Sequence, residues 1–221
     1  MALDSCHLVL EFFIFSKKAR QNRADRASSR LMDASRHFSE QVRDCAVRMA
    51  ESGVSALGGL FDLTAERLTR YAVTITRNQH DAEDAVQATL VRVAGQVPVL
   101  CQANEPWPYL LRMVRNEALL ILRRRQRWVS IANLSDLITR SLVDEAEQEE
   151  SHRQIWSALR EIPTEQAEVV VLKIWEEMTF AQIGEVLEVS SFTAASRYRY
   201  GMEKLSHKLV AMSPEVSYER V

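Results

Sequence analysis

Glycine and proline are scarce in this chain, at six and five among 221 residues. That scarcity excludes a turn-rich all-β fold, a collagenous repeat and a low-complexity class, and leaves long helices as the natural alternative. A charge excess of one sign is missing too. Lys and Arg number 28 against 30 Asp and Glu, so the chain is no uniformly basic nucleic-acid binder, and any phosphate contact must come from local charge. Only three cysteines occur, Cys6, Cys45 and Cys101, far apart, with no CxxC and no histidine at a metal-ligand spacing. They fit free thiols in a reducing cytosol better than a disulfide frame. No apolar run reaches the length of a membrane span. The opening stretch His7 to Phe15 is broken by Glu11 and preceded by no Lys or Arg, unlike a secretory leader. These absences together predict a cytoplasmic protein without membrane insertion.

What is present is helical periodicity. Residues 1–52 form an N-terminal extension with no assigned role, with weak helical character from Leu31 to Ala50. From Leu57 to Thr76 the residues Leu60, Phe61, Leu63, Leu68, Tyr71, Ala72 and Ile75 recur mainly at helical intervals. Asn78-Gln79-His80 breaks the pattern, and Asp81 is expected to cap the next helix, with Asp84 near its first turn. Ala82, Val86, Leu90, Val93 and Val97 then share one face, while Glu83, Asp84 and Gln87 lie off it. Pro98 is expected to end that helix, and a loop through Asn104 leads to Pro106, suited to a first helical position. In the helix that follows, Leu110, Leu111, Val114, Ala118, Ile121 and Leu122 make a core stripe. Arg112, Arg115, Asn116 and Arg123 lie on another face. Periodicity lapses over 130–150, which ends in an acidic run and reads as a linker. It returns with Ile155, Leu159 and Ile162. The pattern implies an all-α protein of two small helical domains, at 53–129 and 151–210, with a tail over 211–221.

The last segment, Thr179 to Tyr200, has the layout of a helix-turn-helix. Thr179 caps a short helix carrying Ile183 and Leu187, Gly184 permits a close crossing, Val189 plugs the turn, and Ser190 caps a second helix. That second helix offers Ser191, Thr193, Ser196, Arg197 and Arg199. Hydroxyl and guanidinium groups suit phosphates and base edges. A plain helical hairpin with a solvated arginine face is the bland alternative.

Three segments in order carry a more specific resemblance. His80-Asp81-Ala82-Glu83-Asp84-Ala85-Val86-Gln87-Ala88-Thr89-Leu90 resembles the region-two helix by which sigma factors hold core RNA polymerase. Pro106 to Ala118, running into Arg123-Arg124-Arg125, is similar to the adjoining segment that engages the minus-ten promoter element. Leu159 to Leu209, with Ile162-Pro163-Thr164-Glu165-Gln166 and the helix-turn-helix, resembles region four, which reads the minus-thirty-five element. The chain is thus similar to bacterial sigma factors of the extracytoplasmic-function (ECF) class of the sigma-70 family.

The resemblance implies core RNA polymerase and promoter DNA as partners, no catalytic residue, no metal and no cofactor, and leaves an anti-sigma partner open. It places polymerase contacts at Asp81, Glu83, Asp84 and Gln87. Minus-ten contacts would come from Trp107, Tyr109, Arg112, Arg115, Asn116, Arg123, Arg124, Arg125 and Arg127, with Trp107 equally suited to the core. Minus-thirty-five contacts fall to Ser191, Thr193, Ser196, Arg197 and Arg199. Basic and stacking side chains of this kind suit a nucleic-acid backbone and unpaired bases.

Departures from the family pattern are visible. Glu188 stands in the turn where glycine is usual, which implies a strained or shifted turn. Ala195 and Tyr200 replace common basic residues, and Ala194 a β-branched one. Three other readings stay open: a helix-turn-helix regulator acting without polymerase, a sigma-derived interaction module, and a metal-dependent enzyme using Asp81 and Asp84. The last would need further convergent ligands, and no second aspartate-rich motif is present.

Overall fold

The structure, a computed structural model, describes residues 24–131 and 150–212, with side chains over 37–126 except 54 and over 154–209. Nearly all of the expected linker, and the tail from 213, lie outside the described residues.

All regular structure among the described residues is helical. The N-terminal group comprises α1 (Ala24–Ser52), a 3-10 turn (Gly53–Ala56), α2 (Leu57–Thr76), α3 (Gln79–Gly95), α4 (Val97–Gln102) and α5 (Pro106–Ile131). The C-terminal group comprises α6 (Glu150–Glu161), α7 (Thr164–Ile174), α8 (Phe180–Leu187) and α9 (Ser191–Met212).

In the first group α2, α3 and α5 pack mutually. The expected stripes are the buried ones: Leu60, Leu68, Tyr71, Ala72 and Ile75 on α2, Ala82, Val86, Leu90 and Val93 on α3, and Leu110, Leu111, Val114 and Ala118 on α5. Phe61 is the exception on α2, at 46% exposed, while Leu63, Ile121 and Leu122 are half-buried and Val97, expected on the α3 face, opens α4.

Two local expectations are corrected. Asp81 does not cap α3. Asn78 does, in extended conformation, its side chain accepting from the Asp81 N–H at 3.0 Å. Helix α3 therefore starts three residues earlier, at Gln79, and Asp81 falls inside its first turn. Pro98 does not end α3 either. The helix stops at Gly95, and Pro98 occupies the first turn of α4, where its missing N–H would have had no partner anyway. Residues 97–102 are thus helix rather than loop.

The extension contributes to the core. Its residues 24–52 form a 29-residue helix that packs on α2, α4 and α5. Phe38, Val42, Cys45, Ala46 and Met49, spaced for one helical face, are buried. Burial of side chains such as Val42 or Met49 contributes about 1.5–3 kcal/mol each. Phe38 meets Trp107 edge-on, with ring centroids 4.9 Å apart, and Cys101 donates to the Ala46 carbonyl at 2.9 Å.

Candidate functional site

The helix-turn-helix is built as its residues dictate. Thr179 and Gln182 form a reciprocal capping box: the Thr179 hydroxyl accepts from the Gln182 N–H at 3.2 Å, and the Gln182 side chain accepts from the Thr179 N–H at 2.9 Å. At the turn a Cβ on Gly184 would lie 2.7 Å from the Val189 carbonyl oxygen, so only glycine lets the two segments approach. Glu188 ends α8 with φ 58 and ψ 43, the left-handed conformation that the glutamate-for-glycine departure implies. Its N–H bonds back to Gly184. Ser190 then caps α9, accepting from the Thr193 N–H at 3.0 Å.

Helix α9 buries Ala194, Leu205 and Leu209. Gly201 packs against Gln166 and Val170 of α7, where a Cβ would meet Val170 at 3.0 Å. Ser191 and Arg199 are exposed and Thr193, Ser196 and Arg197 half-buried. Arg199 donates to the Tyr200 hydroxyl at 3.1 Å, so that tyrosine accompanies a guanidinium.

On α3, Glu83, Asp84 and Gln87 are exposed beside one another, opposite the buried stripe. Gln79 donates to Glu83 at 2.8 Å. Asp81 stands apart from them: half-buried, it is bound by Arg125 at 2.6 Å, which joins the start of α3 to the basic end of α5. Val91 extends the exposed face, 73% accessible and one turn beyond Gln87. A valine off the core stripe was the available signal for it.

The expected minus-ten residues divide. Asn116, Arg123, Arg124 and Arg125 are exposed on α5. Arg112 lies over the Tyr109 ring, 5.5 Å from its centroid. These two line a cleft of about 380 Å³, with Asn104, Glu105 and Glu185, between α5 and α8. Trp107 is in the core, 2% exposed, and presents no free face for stacking. The Arg127 side chain lies outside the described ones.

Arg115 is engaged elsewhere. Its Nε donates to Glu168 of α7 at 2.8 Å, and the Tyr71 hydroxyl donates to the same carboxylate oxygen at 3.1 Å. Close by, Glu176 receives Arg70 at 3.2 Å and Arg67 at 3.4 Å, while Arg67 also lies 3.8 Å above the Phe38 ring. Arg77 reaches the Ile162 carbonyl at 3.0 Å, and Gln182 reaches Glu105 at 2.6 Å.

The two helical groups therefore meet along a polar seam in which two glutamates of the second are inserted among arginines of the first. Burial raises the pKa of both Glu168 and Glu176. The arginines pull the other way, as does the Trp107 indole at Glu176 without closing a hydrogen bond. At Arg115 the balance differs: burial is the largest influence and opposes its charge, but Glu168, Tyr71 and Glu188 together outweigh it and raise its pKa. None of this seam is legible from local periodicity, since its partners are separated by 53 to 109 residues.

Comparison with known proteins follows the same division. Residues 60–128 match the family model described as Sigma-70 region 2, and residues 152–205 the one described as Sigma-70, region 4, together more than half of the chain. The ECF RNA polymerase sigma factor SigE of Mycolicibacterium smegmatis is 30% identical over 162 residues, covering 69% of this chain and 61% of that protein. The RNA polymerase sigma factor CarQ of Myxococcus xanthus is 27% identical over 171 residues, covering 77% and 98%. Among solved structures, the sigma factor RpoE from Bartonella quintana, in complex with the anti-sigma factor NepR, aligns with a TM-score of 0.58 at 17% identity, over 69% of this chain and 96% of that one. CnrH, in complex with the cytosolic domain of CnrY, aligns at 0.54 and 23% identity, over 77% and 98%. These two structures bear on the fold alone.

Proposed function

The chain belongs to the sigma-70 family, with relatives in its ECF class, and from that premise we propose that it binds core RNA polymerase and directs it to promoters, with the labour divided among three surfaces. Helix α3 grips core polymerase through Glu83, Asp84 and Gln87. Asp81, tied to Arg125, braces the start of that helix. Acidic and amide groups on a solvated face give orientation and association rate as much as affinity.

Helix α5 engages the minus-ten element through Tyr109, Arg112, Asn116 and the arginines at 123, 124, 125 and 127. Arg115 contributes less than its neighbours, because its Nε–H is held by Glu168 and only its terminal N–H groups remain for a phosphate. Helix α9 docks on the minus-thirty-five element through Ser191, Thr193, Ser196, Arg197 and Arg199. Polymerase carries out the chemistry, and this chain acts in the cytoplasm without a metal or cofactor. An anti-sigma protein is a natural further partner, in keeping with the complex of RpoE from Bartonella quintana with the anti-sigma factor NepR.

One observation carries this reading: a solvated acid-and-amide face on α3, set against a fully buried stripe, in the same molecule as a capped helix-turn-helix. The test mixes the protein with core polymerase and a genomic promoter library and maps transcript starts. Reproducible starts sharing two upstream elements support it; polymerase binding without initiation overturns it in favour of an interaction module. Stable promoter binding without polymerase would instead favour a free-standing regulator. Asp84→Arg should weaken core binding at least tenfold with folding intact, whereas Arg197→Ala should chiefly weaken upstream promoter contact.

A further inference from the structure

The first turn of α9 carries a residue that the proposed division of labour leaves without a task. Phe192 is 80% exposed, more than any other large apolar side chain among those described. A phenyl ring kept in water forgoes the burial that aromatic side chains ordinarily obtain, and every reason for that position to be helical is met by its neighbours. Ser190 caps the helix and pairs with the Thr193 hydroxyl at 2.8 Å. Ala194, Leu205 and Leu209 supply the core contact from another face. Phe192 is therefore dispensable to the fold.

Its place in the helix tells what it faces. Phe192, Ser196 and Arg199 are spaced four and three residues apart and so share one side of α9, away from Ala194 and Leu205. The side thus presents a phenyl ring, a hydroxyl and a guanidinium in succession. In a helix-turn-helix the N-terminal residues of the second helix are those that reach base edges in the major groove. A phenyl ring has no hydrogen bond to offer there, and the one apolar group that a natural base pair displays in that groove is the C5-methyl of thymine.

We propose that Phe192 reads the C5-methyl group of a thymine in the upstream promoter element, a specificity contact made by apolar burial rather than by charge. This rests on the sigma-factor reading above. It also gives the sparsely basic helix a source of sequence preference: where Ala195 and Tyr200 withhold phosphate contacts, Phe192 adds discrimination at one base pair.

The test uses holoenzyme assembled from core polymerase and the full chain, on a duplex promoter fragment taken from a mapped start. Each upstream thymine is replaced in turn by deoxyuridine, which keeps the hydrogen-bonding pattern and lacks only the methyl group. The parent should lose about fourfold in promoter affinity at one position, the equivalent of one buried methyl group. Phe192→Ala should bind the thymine promoter more weakly and no longer distinguish thymine from deoxyuridine there, while Phe192→Leu keeps part of the distinction. Because the side chain is exposed, both variants should melt at the parental temperature.

Equal discrimination by parent and Phe192→Ala overturns the proposal, as does a parent indifferent to every upstream replacement. A variant that loses affinity for core polymerase while keeping its thymine preference assigns the ring to a protein contact and overturns it as well. A parent holoenzyme that initiates nowhere removes the sigma-factor reading itself, and is seen before any base is replaced.

Discussion

Glu188 shows what one residue can disclose and conceal. Its presence where a turn wants glycine already implies a left-handed backbone, and φ is 58. The strain at such a position is about 1–2 kcal/mol for a residue with a Cβ, partly offset in glycine by the larger entropy of its unfolded state. Glu188→Gly should therefore stabilise the protein by about 0.5–1 kcal/mol, read as a raised urea midpoint with an unchanged slope. Glu168 and Glu176 stand at the other extreme. A glutamate in a helical stretch reads as solvated, and nothing nearby marks either as buried, because the arginines and the tyrosine that receive them come from α2 and α5. Phe192 falls between the two: its type was visible, but only the burial of its neighbours separates an exposed ring from a core one.

At the scale of the element, caps decide where helices begin, and the nearest carboxylate is not always the cap. Asn78 takes that role from Asp81 because it sits three residues ahead of the N–H that needs an acceptor, and Asp81 is freed for Arg125. Thr179 and Ser190 were legible because each directly precedes a periodic apolar run. Thr179→Ala removes one half of a capping box at the base of the helix-turn-helix and should cost about 1 kcal/mol. Chemical denaturation measures that cost, and a Thr179→Ser variant should recover most of it. Pro98 misled for a definable reason: a proline forbids the interior of a helix but suits its first turn, and from sequence alone the two placements look alike when helices are separated by a single residue. Helix α1 was only weakly legible, over Leu31 to Ala50, because its apolar positions are sparse among charged ones, and its packing was not, because several core contacts lie on distant elements.

For the whole molecule, the seam between the two helical groups is the feature that sequence could not supply. Burial lifts the carboxyls of Glu168 and Glu176 above the ordinary glutamate range, against the pull of their arginines. The folded protein thus keeps these protons at a pH where the unfolded chain has released them. The stability they contribute is complete below the ordinary glutamate value and is lost as pH rises through the lifted ones. Comparing the parent with a Glu168→Gln, Glu176→Gln double variant isolates that contribution. The parent's Tm should gain on the variant's as pH falls from neutral towards about 5, and parallel pH profiles would contradict it.

The packing of α1 matters to anyone who clones the gene. An insert opened at the codon for Leu57, trimmed to the two recognisable domains, would translate into a polypeptide with the sides of α4 and α5 stripped bare, the Trp107 indole among them. Such a product should sediment with inclusion bodies, and co-production of a peptide spanning 24–52 should return it to the supernatant.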